Sequence, residues 1–205
     1  MALLEKKEQY NLKNIAFVLG NGTSRKDIPF DNLKKYATVY GCNALYREFY
    51  PDYLVAVDTK MILEICKKQI QKTIPVWTNP NKHFAKFKGL NYFSPSKGWS
   101  SGPTALMLAS DRKHEEIYIL GFDYEGLDGR VNNIYADTEN YKRSHDKATY
   151  YGNWLKQTIQ VMQKNPEKRY IRVLEKEDSF VPKEFGKLDN LQHITVEKFR
   201  KMFGI

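Results

Sequence analysis

Residues 14–24 read Asn14-Ile15-Ala16-Phe17-Val18-Leu19-Gly20-Asn21-Gly22-Thr23-Ser24. The apolar run Ile15–Leu19 stops abruptly at a turn of glycines and small polar residues. A short, continuous apolar run bounded by turn signals predicts a strand buried on both faces, as in a parallel sheet. The glycines let the chain bend sharply and expose backbone N–H groups, which is how a strand end cradles a phosphate. An ordinary tight turn has the same composition, and the known phosphate motifs do not decide the matter. No Gly-Lys-Ser/Thr follows, and the third glycine position of the dinucleotide fingerprint holds Arg25. Specificity has to come from turns elsewhere in the chain.

The 205 residues suffice for one well-buried α/β domain, and the 14 Tyr and 11 Phe fit a folded chain. No apolar run approaches the ~20 residues of a membrane span. Met1 to Asn11 is charged and lacks the apolar centre of a signal peptide. Cys42 and Cys66 suit a reducing compartment and show no metal-type spacing, so the expected location is cytoplasmic. Lys and Arg number 33 against 24 Asp and Glu, a formal charge of +9. Such a surface attracts anions, and nucleic acid stays open as a partner.

Outward from the first strand, further strands are expected at Ala37–Tyr40, Tyr53–Val57, Ile74–Trp77 and around Tyr92-Phe93. The first two of these run into Gly41-Cys42-Asn43 and Asp58. Strands that each end in a polar residue fit ligand contacts at the carboxyl edge of a parallel sheet. Met61–Gln71 has helical apolar spacing. Residues 2–12 read as a short amphipathic helix or a frayed end.

Ser94–Gly102 runs Ser-Pro-Ser-Lys-Gly-Trp-Ser-Ser-Gly into a helix from Pro103 to about Arg112. Proline suits a first helical turn, Ser101 or Gly102 can cap, and small residues there leave N–H groups open to an anion. Glu116–Gly121 is a strand leading to Asp123. The Asp123-x-Glu125 pair faintly resembles a metal motif of some glycosyltransferases. From Glu125 to Asp146 no periodicity is visible, which predicts a functional lid spanning about 124–147. It holds Asn132, Asn133, Tyr135, Asp137, Tyr141, Arg143 and His145. Ala148–Gln163 reads as a long helix with Trp154, Leu155, Ile159 and Met162 on one side, and Arg169–Leu174 as a late strand. A last helix packs through Phe199–Phe203. The expected fold is a Rossmann-like, mostly parallel α/β sheet flanked by helices, one domain over 1–205.

In their order along the chain, Gly20-Asn21-Gly22-Thr23-Ser24, Cys42-Asn43, Ser101-Gly102 and Ile117–Tyr124 resemble bacterial sialyltransferases that modify lipooligosaccharide. Tyr135-Ala136-Asp137-Thr138 is similar to a lid segment of that family. The likeness covers roughly residues 14–46 and 98–140, and the chain also resembles uncharacterised proteins of tailed phages. Thr23 stands where the family has proline, and the strand ending in Asp58 has no counterpart. The resemblance implies transfer from a cytidine-monophosphate sugar with no cofactor and no essential metal. By position it implies Asn21, Gly22 and Ser24 on the phosphate side, and Asn43 on the nucleotide or sugar. It implies Ser101 and Gly102 on the base or ribose, Tyr135 on the departing phosphate, and a lid histidine as general base. Asp123 closes the group, at the end of its own strand.

Of four histidines, His83 and His114 read as surface residues and His193 lies beside the last strand. Only His145 lies in the polar lid, and an imidazole titrates near neutrality, as a base requires. The acceptor stays open between a glycan, a small molecule and a modified nucleobase, as does a subunit interface. Two further readings stand beside the transferase. One is a non-catalytic nucleotide-binding or sequestering module. The other is a pyrophosphokinase like the archaeal pterin enzymes, with Asp58 and Asp123 on magnesium.

Overall fold

All five residues of Ile15–Leu19 are buried, so this segment, β1, needs cover on both faces. The structure, a computed structural model, describes residues 14–30 and 32–205; the expected N-terminal helix over 2–12 lies outside them. The remaining elements are α1 (Leu33–Tyr36), β2 (Thr38–Cys42), β3 (Tyr53–Val55), α2 (Thr59–Lys67), β4 (Val76–Thr78) and β5 (Leu90–Tyr92). Then come α3 (Ser101–Ser110), β6 (Glu116–Leu120), α4 (Gly152–Lys164), β7 (Arg169–Leu174), β8 (Leu191–Thr195) and α5 (Val196–Phe203).

The eight strands form one parallel sheet in the order β5-β4-β3-β2-β1-β6-β7-β8. The expected α/β, Rossmann-like architecture is what the chain adopts. Side chains alternate across the sheet. Ile15, Phe17 and Leu19 face a layer built from α2 and α5, while Ala16 and Val18 face α3 and α4. Phe17 meets Phe199 and Phe203 of α5 edge-on, at ring centroid distances of 5.4 and 5.0 Å. Edge-to-face pairs of this kind add to the burial of the rings themselves. β8 goes beyond the sequence expectation, which had only a last helix packing through Phe199–Phe203 at this end of the chain.

From β1 the chain winds outward one way through β2 to β5, then returns to place β6 on the other side of β1. The strand order therefore reverses between β1 and β6, and a crevice opens outside their carboxyl ends, where open α/β sheets bind ligands. The two turns at this point touch. Gly20 N–H donates to Leu120 O at 2.7 Å, and Gly22 N–H to Gly121 O at 2.9 Å. Gly121 has φ +69°, and a Cβ on it would stand 3.1 Å from both Gly20 O and Arg25 Cδ.

Gly121→Ala should lower the unfolding free energy by about 1–3 kcal/mol, the range for a left-handed non-glycine residue under added crowding. Gly129 has φ +75°, and a Cβ added there would have nothing within 4 Å among the described residues. Gly129→Ala therefore carries the backbone cost alone. In urea titration Gly121→Ala should show the larger loss; equal losses would mean that the close approach of the two turns contributes nothing.

Candidate functional site

Two buried arginines fix the switch-point turns from below. Arg25 is 1% exposed and Arg172 is 3% exposed. Arg25 Nε donates to Gly20 O at 2.5 Å and its Nη2 to Tyr135 Oη at 2.9 Å, with Glu48 3.6 Å away. Arg172, on β7, donates from Nε to Phe122 O at 2.8 Å, from Nη1 to Phe180 O at 3.1 Å and from Nη2 to Asp123 O at 3.1 Å. Among the described residues Arg172 has no ion-pair partner, and burial lowers its pKa. A trans peptide points its N–H opposite to its C=O. With the Gly20 and Phe122 carbonyls turned down onto the guanidiniums, the N–H groups of Asn21 and Asp123 turn away from them. Neither N–H has an acceptor among the described residues.

Above the turns lies a cleft of about 770 Å³. Asn21, Gly22, Asn43, Ser101, Gly102 and Asp123 all line it, so four turns far apart in the chain meet in one space. Asn21 is oriented on two sides: its Nδ2 donates to Tyr141 Oη at 3.2 Å, and its Oδ1 accepts from Cys42 Sγ at 3.6 Å. Burial pushes the Cys42 thiol up to about 12, so it stays protonated and serves as a donor rather than a nucleophile. Asn43 has φ +54°, in the left-handed region that asparagine tolerates, and its Oδ1 is buried without a partner among the described residues.

Ser101 opens α3, and its Oγ accepts the Val57 N–H at 3.1 Å, tying the helix to the end of β3. Ser100 holds the N-cap position, and its carbonyl accepts from Thr104 N–H at 3.0 Å. The N–H groups of Ser101 and Gly102 have no acceptor among the described residues and lie at the cleft, at the positive end of the helix. Gly102 is small for a reason: a Cβ there would be 3.3 Å from the Phe122 ring.

Three expected site residues sit elsewhere. Ser24 is not on the cleft lining; its N–H and hydroxyl hold the Asp123 carboxylate, at 3.1 and 2.5 Å. That clamp explains Gly22, where a Cβ would fall 2.4 Å from the same carboxylate. Tyr135 is 4% exposed and packs into the core beneath the turn, its hydroxyl held by Arg25. His145 lies outside the cleft lining with a side chain 67% exposed, 3.9 Å from Asp146.

Several residues of the site carried no signal of their own in the sequence. Tyr141 lies against the Tyr135 ring but reaches the cleft, its hydroxyl accepting from Asn21 and from Ala44 N–H at 3.3 Å. Burial raises its pKa, which keeps it a neutral phenol able to donate. Trp99 and Trp154 also line the cleft, so Trp154 faces the ligand space instead of the buried side of its helix. His114, expected at the surface, is 7% exposed. Its Nε2 lies 2.8 Å from Tyr40 Oη, and it precedes β6, at the opposite edge of the sheet from the cleft.

The lid contains no helix and no strand of the sheet. It is pinned by individual bonds: Ile134 N–H to Asn21 O at 2.8 Å, and Thr23 N–H and Oγ to Asn132 Oδ1 at 2.9 and 2.8 Å. Its tip is held by buried Glu64 of α2. That carboxylate accepts from Asn140 Nδ2 at 2.7 Å, Arg47 Nη2 at 2.7 Å, Lys68 Nζ at 3.1 Å and the Tyr46 hydroxyl. Arg47 also reaches Thr138 Oγ1 at 2.8 Å and Glu139 O at 3.0 Å.

Burial would raise the Glu64 pKa, but the bonds from Arg47, Tyr46, Lys68 and Asn140 outweigh it and hold the carboxyl at about 2, against an ordinary 4.5. A carboxylate depressed in the fold contributes stability that is complete above about pH 4.5 and is lost as pH falls toward 2. Glu64→Gln should therefore lower Tm at neutral pH and flatten its fall across that window. Thermal melts from pH 7 to 2 check this; parallel wild-type and variant curves would contradict it.

No family model, curated protein or solved structure matched the chain, so the reading of this cleft rests on its own geometry.

Proposed function

We propose that the protein is a sialyltransferase-like glycosyltransferase that moves a sugar from a CMP-linked donor to an acceptor hydroxyl. The observation that carries the reading is the convergence of Asn21, Gly22, Asn43, Ser101 and Gly102 on one cleft at the switch point. Two stretches of unpartnered backbone N–H, at the switch-point turns and at the start of α3, border the cleft, and two buried guanidiniums lie beneath the turns. Transfer from a nucleotide-sugar releases a phosphate, and donors aimed at its developing charge lower the barrier. Tyr141, on the cleft, takes the part in this reading that the sequence resemblance gave to Tyr135.

The pyrophosphokinase reading needs Asp58 and Asp123 together on magnesium. It is weakened by Ser24, which already engages both oxygens of Asp123. The sequestering module is favoured by the exposed position of His145, which leaves the histidine base without a cleft to serve.

Calorimetric titration without metal should show CMP binding at least tenfold tighter than cytidine, because the phosphate is the group held by the turn. Asn21→Ala and Ser101→Ala should each weaken CMP about five- to tenfold, the equivalent of one hydrogen bond of about 1 kcal/mol. CMP binding no tighter than cytidine would sink the phosphate assignment. Magnesium-dependent binding of a triphosphate in its place would favour the pyrophosphokinase, and CMP binding with no turnover of any sugar donor would favour the module.

A further inference from the structure

A second cavity of about 280 Å³ adjoins the cleft, and the two share Asn43, Asp58, Asn140 and Tyr141 as a common wall; the smaller adds Thr59, Lys60 and Met61. Asp58 stands at that neck because it links β3 to α2, at the carboxyl edge of the sheet. Although it occupies the N-cap position of α2, its side chain caps nothing. Its carboxylate has no hydrogen-bond or ion-pair partner among the described residues. The other carboxylates on the cleft are placed differently: Asp123 is held by Ser24, and Glu125 touches only the larger cavity. Beside Asp58, the Asn43 Oδ1 is buried with no donor to satisfy it among the described residues. A buried acceptor left open in this way costs free energy unless a ligand group fills it.

We propose that Asp58 is the general base of the transfer and that the smaller cavity is the acceptor subsite, suited to a neutral, hydroxyl-rich molecule of carbohydrate type. This rests on the transferase reading above. Asn43, Asn140, Thr59 and Tyr141 offer neutral donors and acceptors, the Lys60 cation of the same wall offsets the Asp58 charge, and the Tyr141 ring supplies the apolar surface that a sugar face needs. One acceptor hydroxyl lies at the neck, where Asp58 faces it. Its oxygen forms the new bond to the anomeric carbon as the bond from that carbon to the donor phosphate oxygen breaks. The electron pair of the broken bond leaves with CMP. The hydroxyl proton passes to the Asp58 carboxylate, which becomes a carboxylic acid and later loses the proton to solvent. No oxidant, reductant or metal enters the balance.

The test uses the full chain with CMP-N-acetylneuraminate as donor and lactose as a neutral acceptor, reading CMP release and, separately, CMP affinity by calorimetry. Asp58→Asn should cut kcat by 100-fold or more, within the roughly 10²–10⁴-fold contributed by a positioned base. Its CMP Kd should stay within threefold of wild type, which also shows that the variant is folded. Sodium formate, a small carboxylate able to enter the vacated space, should raise turnover by Asp58→Ala at least tenfold and leave wild type unchanged. An active wild type with Asp58→Asn within threefold of it overturns the assignment but leaves the transferase reading intact. Loss of CMP affinity together with turnover, or an Asp58→Ala that formate does not restore, also overturns it. A wild type that binds no CMP, or releases none from the donor, overturns the transferase reading, and this inference with it.

Discussion

The interaction on which the site depends is the grip of two buried guanidiniums on backbone carbonyls. Arg25 holds the turn after β1 and Arg172 holds the turn after β6, and neither makes an ideal ion pair. Burying a cation this way is costly unless its N–H groups are satisfied. Here carbonyl oxygens accept from both, a tyrosine hydroxyl accepts from Arg25, and aromatic faces cover both, while Arg25 Nη1 has no hydrogen bond among the described residues and lies 3.6 Å from Glu48. Arg25 lies 5.2 Å from the Phe30 ring centroid, and Arg172 lies 5.2 Å from that of Tyr124. Lysine could not replace them, since only the planar guanidinium spreads several fixed donors over two adjoining carbonyls. The consequence for function is geometric and electrostatic together. Carbonyls are drawn down, N–H groups are turned up, and positive charge stays beneath the cleft in a medium that screens it poorly.

That arrangement also explains the glycines. Two turns drawn together by cations leave no room for side chains between them, and a Cβ on Gly20 would lie 2.4 Å from Gly121 O. The lid is organised on a different principle. It contributes few core side chains and is fixed by polar bonds to Asn21, Thr23 and the Glu64 cluster. Breaking the Glu64 cluster would free the lid tip without touching the sheet. The switch-point turns belong to the rigid part of the molecule, whereas the wall formed by Asn140 and Tyr141 belongs to a part that local opening can release.

How much of this could be read in the sequence follows from what each signal reports. β1 was legible to the residue because a continuous apolar run ended at a clear turn, and β7 was expected at its observed bounds although Arg172 interrupts its apolar residues. Ser101-Gly102-Pro103 marked a helix start, and that start does face the cleft. β8 was obscured because its residues are mostly half-buried along an edge, so no apolar run announces it. Arg25 entered the reading only as the residue that spoils the glycine fingerprint, since nothing local says that an arginine will be buried. In the lid, Tyr135 and Tyr141 look alike as letters. Which one is core and which lines the cleft is decided by Arg25, through a contact 110 residues away in sequence. His145 stood out in the sequence for its chemistry, but chemistry does not fix exposure in a segment without periodicity.

The distribution of charge across the cleft bears on what it selects. Its walls are rich in amides: Asn21, Asn43, Asn79, Asn132, Asn133 and Asn140 all contribute. Amides donate and accept without titrating, and they suit neutral hydroxyls better than ions. Arg25 and Arg172 lie buried under the turns, where they would act on an anion through the field and through oriented N–H groups, and Lys142 lines the cleft itself. A site divided in this way can hold a charged leaving group at one end and an uncharged sugar at the other. The +9 surface can raise the local concentration of anions, and an anion reaching the cleft would meet the amide-lined walls and the turns after β1 and β6.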